Sequence, residues 1–238
     1  SSADIPAGTG LGSSSAFTCA LIKLCSEFQN KIISKSEIAS MACEIEIDKL
    51  KEPIGKQDQY ASAFGGFNFI KFNQDNSVIV DKIEISKKKQ KELRNNLLMF
   101  YVGGIRSASK ILKHQKINTL NSRSKIQNLH KMVSLSKDLK NELSNDCIDY
   151  FGDILHQGWM YKKELAKGIS NNTINDIYNT AMDNGAKGGK LLGAGSTGFM
   201  LFYADNKKHT KIKNSLSELN EMKFNFEFEG TKIIYKDQ

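Results

Sequence analysis

Phe17, Ala20, Leu21, Leu24, Cys25 and Phe28 recur at intervals of one, three and four residues, the spacing of one helical face. The run predicts a helix of about ten to fifteen residues beginning near Ser13 or Ser14. A second helix starts at Ser34, where Glu37 stands three positions on in a capping-box pattern. Ile38, Met41, Ile45 and Leu50 supply its stripe, and Pro53 and Gly55 end it. The alternation then changes character: 65–85 reads as two strands around a polar turn at Gln74–Asn76. A charged connector at 86–95 follows, then a buried strand in 96–104. Residues 107–168 read as two or three helices broken near Ser122 and Asn145, and 173–185 as a helix stopped by Gly185. A strand at 199–204, a helix over about 207–221 and strands near 223–229 and 231–235 complete the pattern. The fold class is α+β with two domains, 1–90 and 91–238, and no fixed-period repeat interrupts it.

Composition narrows the class. The chain has 238 residues, 39% hydrophobic and 25% charged, enough for a sizeable core. No apolar run approaches a membrane span, and no secretory leader is read. Cys19, Cys25, Cys43 and Cys147 form no CxxC pair and read as reduced cysteines of a cytoplasmic protein. The net charge of +8 fits a nucleic-acid partner or an anionic small substrate, but lysine runs such as 87–94 are more simply solvated surface.

Two glycine-rich stretches carry the candidate chemistry. The first, "PAGTGLGSSSA", places Gly8, Gly10, Leu11, Gly12, Ser13 and Ser14 at the predicted start of a helix. It matches neither GxxxxGK[ST] nor GxGxxG, and taken alone it is a turn whose serines cap the helix. It is also chemically an anion site, because glycines admit close backbone approach and a helix start offers free N–H groups at the positive end of its dipole. The second stretch spans 185–198 and includes Gly193, Ala194 and Gly195, placed to brace the first loop or to cover phosphates. Between them, Glu44 and Glu46 could be surface charge and Asp58 a turn residue. Together with a phosphate cradle, however, such carboxylates supply a metal ligand and an acceptor-side base for phosphoryl transfer.

At this point the motifs resemble those of the GHMP family of small-molecule kinases. "PAGTGLGSSSA" is similar to the family's phosphate-binding motif and "GAKGGKLLGAGSTGFML" to its C-terminal glycine motif. "IEIDKLKEPIGKQDQ" is similar to a segment in which a glutamate lies twelve positions before an aspartate, as Glu46 does before Asp58. Within the family, "DIPAGTGLGSSSAF", "KEPIGKQDQYASAFGGFNFI", "GGIRSASKIL" and "WMYKKELAKGISN" resemble the branch acting on D-glycero-D-manno-heptose 7-phosphate. The likeness runs from Asp4 to about Tyr203. Two departures stand out: the chain begins almost at the phosphate loop, without the family's preceding segment, and "GAGSTG" has Ser196 and Thr197 where a further glycine is usual.

The resemblance implies a GHMP two-domain architecture with an incomplete N-terminal, ATP-binding domain and ATP and Mg²⁺ as cofactors. It implies that Gly8, Gly10, Leu11, Gly12, Ser13 and Ser14 bind the ATP phosphates, that Ser14 and Glu46 ligate the metal with Glu44 in reserve, and that Asp58 serves the attacking anomeric hydroxyl. The product that the resemblance implies is a sugar 1,7-bisphosphate for nucleotide-activated heptose and capsule synthesis. A substrate phosphate would fall to Arg106, with Lys162 and Lys163 as weaker candidates, while His156 and Trp159 read as core. A free-sugar kinase for fucose or galactose and a basic nucleic-acid-binding domain are the rival readings; the second leaves "GLGSSS" and "QDQ" unexplained. Nucleic-acid and membrane partners are not expected, a homodimer is left open, and full activity of the chain alone is not expected.

Overall fold

The structure, a computed structural model, describes residues 2–5, 8–104 and 108–236. It contains two compact units. The first comprises Gly12–Ile83 with the residues from Phe226 onward, and the second Gly8–Leu11 with Glu84–Asn225. The chain leaves the second unit after Leu11 and returns to it at Glu84.

In the first unit, α1 (Ser13–Phe28) and α2 (Lys35–Cys43) pack with α3 (Gln57–Phe64). Ser34 caps α2 with the full box, its side chain accepting from the Glu37 N–H while Glu37 accepts from the Ser34 N–H. The interior is built from Cys19, Ile22, Ile38, Ala39, Ala42, Cys43, Tyr60 and Ala63, and its small side chains let the helices approach closely. Strands β1 (Asn68–Phe72) and β2 (Val78–Lys82) form an antiparallel pair with Ile70 opposite Val80.

Two features depart from the hydrophobic pattern. α1 buries Ser15, Cys19, Ile22 and Ser26, whereas the apolar stripe stands outward, with Phe17 54%, Leu21 47%, Leu24 58% and Phe28 89% exposed. And α2 runs into a π turn, Glu44–Lys49, that ends at Leu50, before Pro53.

The second unit opens with α4 (Lys87–Asn95), so the expected connector is a helix capped by the Ser86 side chain. β3 (Leu97–Tyr101) follows, and then α5 (Ala108–Asn121), α6 (Arg123–Ser144), α7 (Phe151–Lys163) and α8 (Asn172–Asp183). β4 (Ala186–Leu191) takes up the first half of the second glycine-rich stretch, leaving a loop only from residue 192. After β5 (Phe199–Ala204), α9 (His209–Ser215) is shorter than the expected helix, and β6 is only Asn220–Glu221.

The antiparallel sheet has the order β4-β5-β3-β6. The core on it includes Phe100, Trp159, Leu165, Ile169, Leu191, Met200 and Phe202. The strands expected near 223–229 and 231–235 are not formed. Instead, in the first unit, Phe226 and Phe228 lie edge-on to Phe67 at 4.8 and 5.7 Å between ring centres, and the Glu227 carbonyl accepts from the Gly66 N–H at 2.7 Å.

Candidate functional site

In the first unit the site begins where α1 begins. Gly12 is the N-cap residue in the left-handed conformation (φ 71°), and no side chain caps the helix. The first backbone bond runs from the Ala16 N–H to the Gly12 carbonyl at 2.9 Å. The N–H groups of the turn before it therefore have no partner within the helix. Ser13 Oγ is buried and has no hydrogen-bond partner among the described residues. An uncapped helix start with a buried orphan hydroxyl is chemically suited to an anion such as phosphate.

Asp58 stands on the first turn of α3, exposed to solvent. A Cβ placed on Gly12 would lie 3.5 Å from its Cβ and 3.6 Å from its Oδ2, so the carboxylate adjoins the start of α1. The next residue, Gln59, turns the other way and is fully buried. Its Nε2 donates to Glu46 Oε2 at 2.6 Å, and the same oxygen accepts from Ser15 Oγ at 2.8 Å. Glu46 is 4% exposed. The π turn carries it inward, while Glu44 stays outside and pairs with Lys49 at 3.1 Å.

The serine that meets Glu46 is thus Ser15; Ser14 is exposed, and its carbonyl accepts from Thr18 Oγ1 at 3.0 Å. Sequence reasoning missed Ser15 and Gln59. The "QDQ" triplet held the signal for Gln59, because consecutive helix positions face different directions. Around this cluster, burial and the Glu46 carboxylate push the Cys19 thiol up to about 12, and burial pushes Cys43 up to about 11.

No group of three or more His, Cys, Asp or Glu side chains able to hold a metal occurs among the described residues. A cation at Glu46 would therefore draw its remaining oxygens from elsewhere. Mg²⁺, which typically takes one or two carboxylates plus phosphate oxygens and water, fits that donor set.

The second unit holds Gly8–Leu11 and the loop after β4. Their backbones interlock. A Cβ on Gly193 would lie 2.5 Å from Gly10 Cα, and one on Gly10 would lie 2.9 Å from the Leu192 oxygen. A Cβ on Gly198 would lie 2.2 Å from the Thr9 oxygen. Only glycine permits this approach, and Gly10 and Gly193 also hold positive φ, 83° and 71°. Ser196 is itself in the left-handed region at φ 74°.

The Lys162 ammonium donates to the Gly193 carbonyl. Lys163 lies over the Trp159 ring at 5.9 Å and the Tyr178 ring at 5.7 Å. His156 Nδ1 is 2.6 Å from the Tyr178 hydroxyl, and Trp159 is wholly buried. Arg106 lies outside the described residues.

Comparison with known proteins gives two family matches along the chain. The family profile "GHMP kinases N terminal domain" matches residues 1–66, and "GHMP kinases C terminal" matches 137–222. D-glycero-alpha-D-manno-heptose 7-phosphate kinase of Campylobacter jejuni is 36% identical over 231 residues, covering 96% of this chain and 68% of that protein. The chain belongs to the GHMP kinases.

This GHMP kinase chain also resembles a solved D-glycero-D-manno-heptose 1-phosphate kinase from Bacteroides thetaiotaomicron, with a TM-score of 0.75 and 28% identity. That match covers 98% of this chain and 66% of the other. The bifunctional fucokinase/GDP-fucose pyrophosphorylase of Arabidopsis thaliana is 28% identical over 91% of this chain but only 21% of its own length. The chain therefore spans about two thirds of the heptose kinase relatives and about a fifth of the bifunctional one.

Proposed function

We propose that the chain is the phosphate-loop and acidic-site portion of an ATP-dependent kinase that phosphorylates the anomeric hydroxyl of D-glycero-D-manno-heptose 7-phosphate, giving the 1,7-bisphosphate. The observation that carries the reading is the pairing at α1 and α3: Asp58 adjoins Gly12 at an uncapped helix start, while the neighbouring Gln59 holds the buried Glu46. The 36% identity to a heptose 7-phosphate kinase supports the choice of substrate.

In this reading the backbone N–H groups of Gly10, Leu11, Gly12 and Ser13 receive the β- and γ-phosphates, and Ser13 Oγ gains the partner it lacks. Glu46, oriented by Ser15 and Gln59, and the exposed Ser14 hydroxyl are the oxygen donors for Mg²⁺. The bound cation supplies neutralisation of phosphate charge. Asp58 accepts a hydrogen bond from the anomeric hydroxyl and takes its proton as that oxygen bonds to the γ-phosphorus and ADP departs. An anomeric hydroxyl is more acidic than an ordinary alcohol, and orientation is the larger contribution of Asp58. Arg106 is assigned the 7-phosphate on chemical grounds, as a bidentate donor. The enzyme would act in the cytoplasm, supplying nucleotide-activated heptose for surface polysaccharide.

The test is Asp58→Ala in an enzyme that includes this chain. Turnover of heptose 7-phosphate should fall at least a thousandfold while ATP affinity stays within about twofold. Normal kcat in the variant, or faster ATP consumption with fucose or galactose than with heptose 7-phosphate, refutes the assignment.

A further inference from the structure

The second unit contains a chain of contacts that the proposed chemistry does not use. Lys162, on the last turn of α7, reaches the Gly193 carbonyl. Gly193 lies against Gly10, backbone to backbone. Further along, the Ser196 N–H donates to the Ile169 carbonyl at 2.9 Å, and a Cβ on Gly195 would lie 2.7 Å from Ile169 Cα. Asn171 Nδ2 reaches the Ser196 carbonyl at 3.4 Å. Segment 162–171 therefore holds the loop after β4 at two points, Gly193 and Gly195–Ser196. That loop in turn lies against the backbone of Thr9 and Gly10, and Gly10, at φ 83°, offers no side chain by which to be held.

We propose that Lys162 is a positioning residue for nucleotide binding, acting through Gly193 to set the backbone of Gly10. This rests on the kinase reading above. An ammonium has three donors and full charge. Its bond to a carbonyl is charge-assisted, and it fixes the carbonyl direction at Gly193, whose backbone lies against that of Gly10. A loop so held presents its N–H groups in one arrangement; a loosened one must be ordered by the nucleotide at the cost of affinity. The role differs from direct contact with a sugar phosphate, which was the sequence expectation for this lysine.

Three measurements on an enzyme that includes this chain test it: amide hydrogen exchange, titration calorimetry with AMPPNP and magnesium, and thermal melting. Lys162→Met should speed exchange about tenfold at Gly10, Gly193 and Ser196, weaken AMPPNP about tenfold, and leave the melting midpoint in place; Lys162→Arg should restore both values. Unchanged exchange at the loops overturns the clamp. Faster exchange throughout the second unit with a lowered midpoint also overturns it, since that marks a general packing role. Tight wild-type AMPPNP binding that Lys162→Met leaves unaltered overturns the positioning role alone. Failure of the wild-type enzyme that includes this chain to bind AMPPNP overturns the kinase reading and the nucleotide role together, while the exchange data still judge the clamp.

Discussion

Replacing Ser15 with alanine separates the two adjacent serines at the start of α1. Ser15 Oγ donates to Glu46 Oε2 at 2.8 Å, and Glu46 is 4% exposed, so water cannot take over that bond without opening the helix packing. A hydrogen bond to an ionised partner contributes about 1.5–3 kcal/mol when the partner is left buried. Gln59 remains as a donor at 2.6 Å, which favours the lower half of that range, about 2 kcal/mol. For a chain of 238 residues, that corresponds to a fall in melting midpoint of roughly 4–8 °C. Ser14→Ala removes only an exposed hydroxyl, whose own carbonyl bond to Thr18 is retained, and should change stability by less than about 0.5 kcal/mol. Urea melts followed by circular dichroism, run on both variants, give the contrast. Calorimetry with AMPPNP and magnesium on the same samples should show Ser14→Ala weakening binding several-fold. If Ser15→Ala is as stable as the parent, Glu46 is not held by Ser15. If Ser14→Ala leaves magnesium-dependent binding intact, Ser14 is not a ligand.

Gly193→Ala places a Cβ 2.5 Å from Gly10 Cα at a φ of 71° and should weaken AMPPNP at least tenfold; Gly103→Ala, with φ 81° and nothing within 4 Å, pays the conformational cost alone and serves as control. Equal effects of the two in nucleotide titrations would show that the loop contact is not required. Burial holds His209 below its ordinary 6.5, with Nε2 donating to the Ala204 carbonyl at 3.2 Å, so the unfolded chain binds that proton more tightly. Its contribution to stability is complete above pH 6.5 and is lost as the pH falls through 6.5 toward the lower folded value, with a slope of at most about 1.4 kcal/mol per pH unit. His209→Gln should flatten that dependence in melts between pH 7 and pH 5, and an identical profile would discount the burial effect. The outward stripe of α1 should bind the dye ANS, and Leu21→Glu with Leu24→Glu should remove most of the fluorescence with little change in stability; undiminished fluorescence would place the dye elsewhere.

Local signals were legible along the chain wherever one residue type forces one geometry. The Ser34–Glu37 capping box, the β1–β2 turn and the glycines of both loops fall in this class. Periodicity misled on α1, because it marks where apolar residues align and not which face the fold buries; here the small and polar positions Ser15, Cys19 and Ser26 turn inward. The choice between Glu44 and Glu46 was open to spacing arguments, but the partners of Glu46 were not. A π turn shifts side-chain directions relative to an α-helix, and Ser15 and Gln59 meet Glu46 only through tertiary packing. The tail after β6 alternates like a strand, with Phe224, Phe226 and Phe228, yet it forms side-chain and single backbone contacts in place of a ladder. Charge pattern misread 86–95 for a similar reason: one buried leucine, Leu93, anchors an otherwise polar helix.

The interlocked glycines also set an order of events in synthesis. Thr9 and Gly10 leave the ribosome long before the backbone they rest on, which lies at 192–198 with β5 immediately behind it. Contacts across so long a separation form late, after local helices and hairpins. α1, α2 and α3 can pack from their own neighbours while the loop that leads into them waits for residues 192–198. The segment that would bind nucleotide is thus made long before the backbone that shapes it, and a ribosome-stalled chain ending before residue 192 should already hold the Ser15–Glu46–Gln59 cluster without a formed loop.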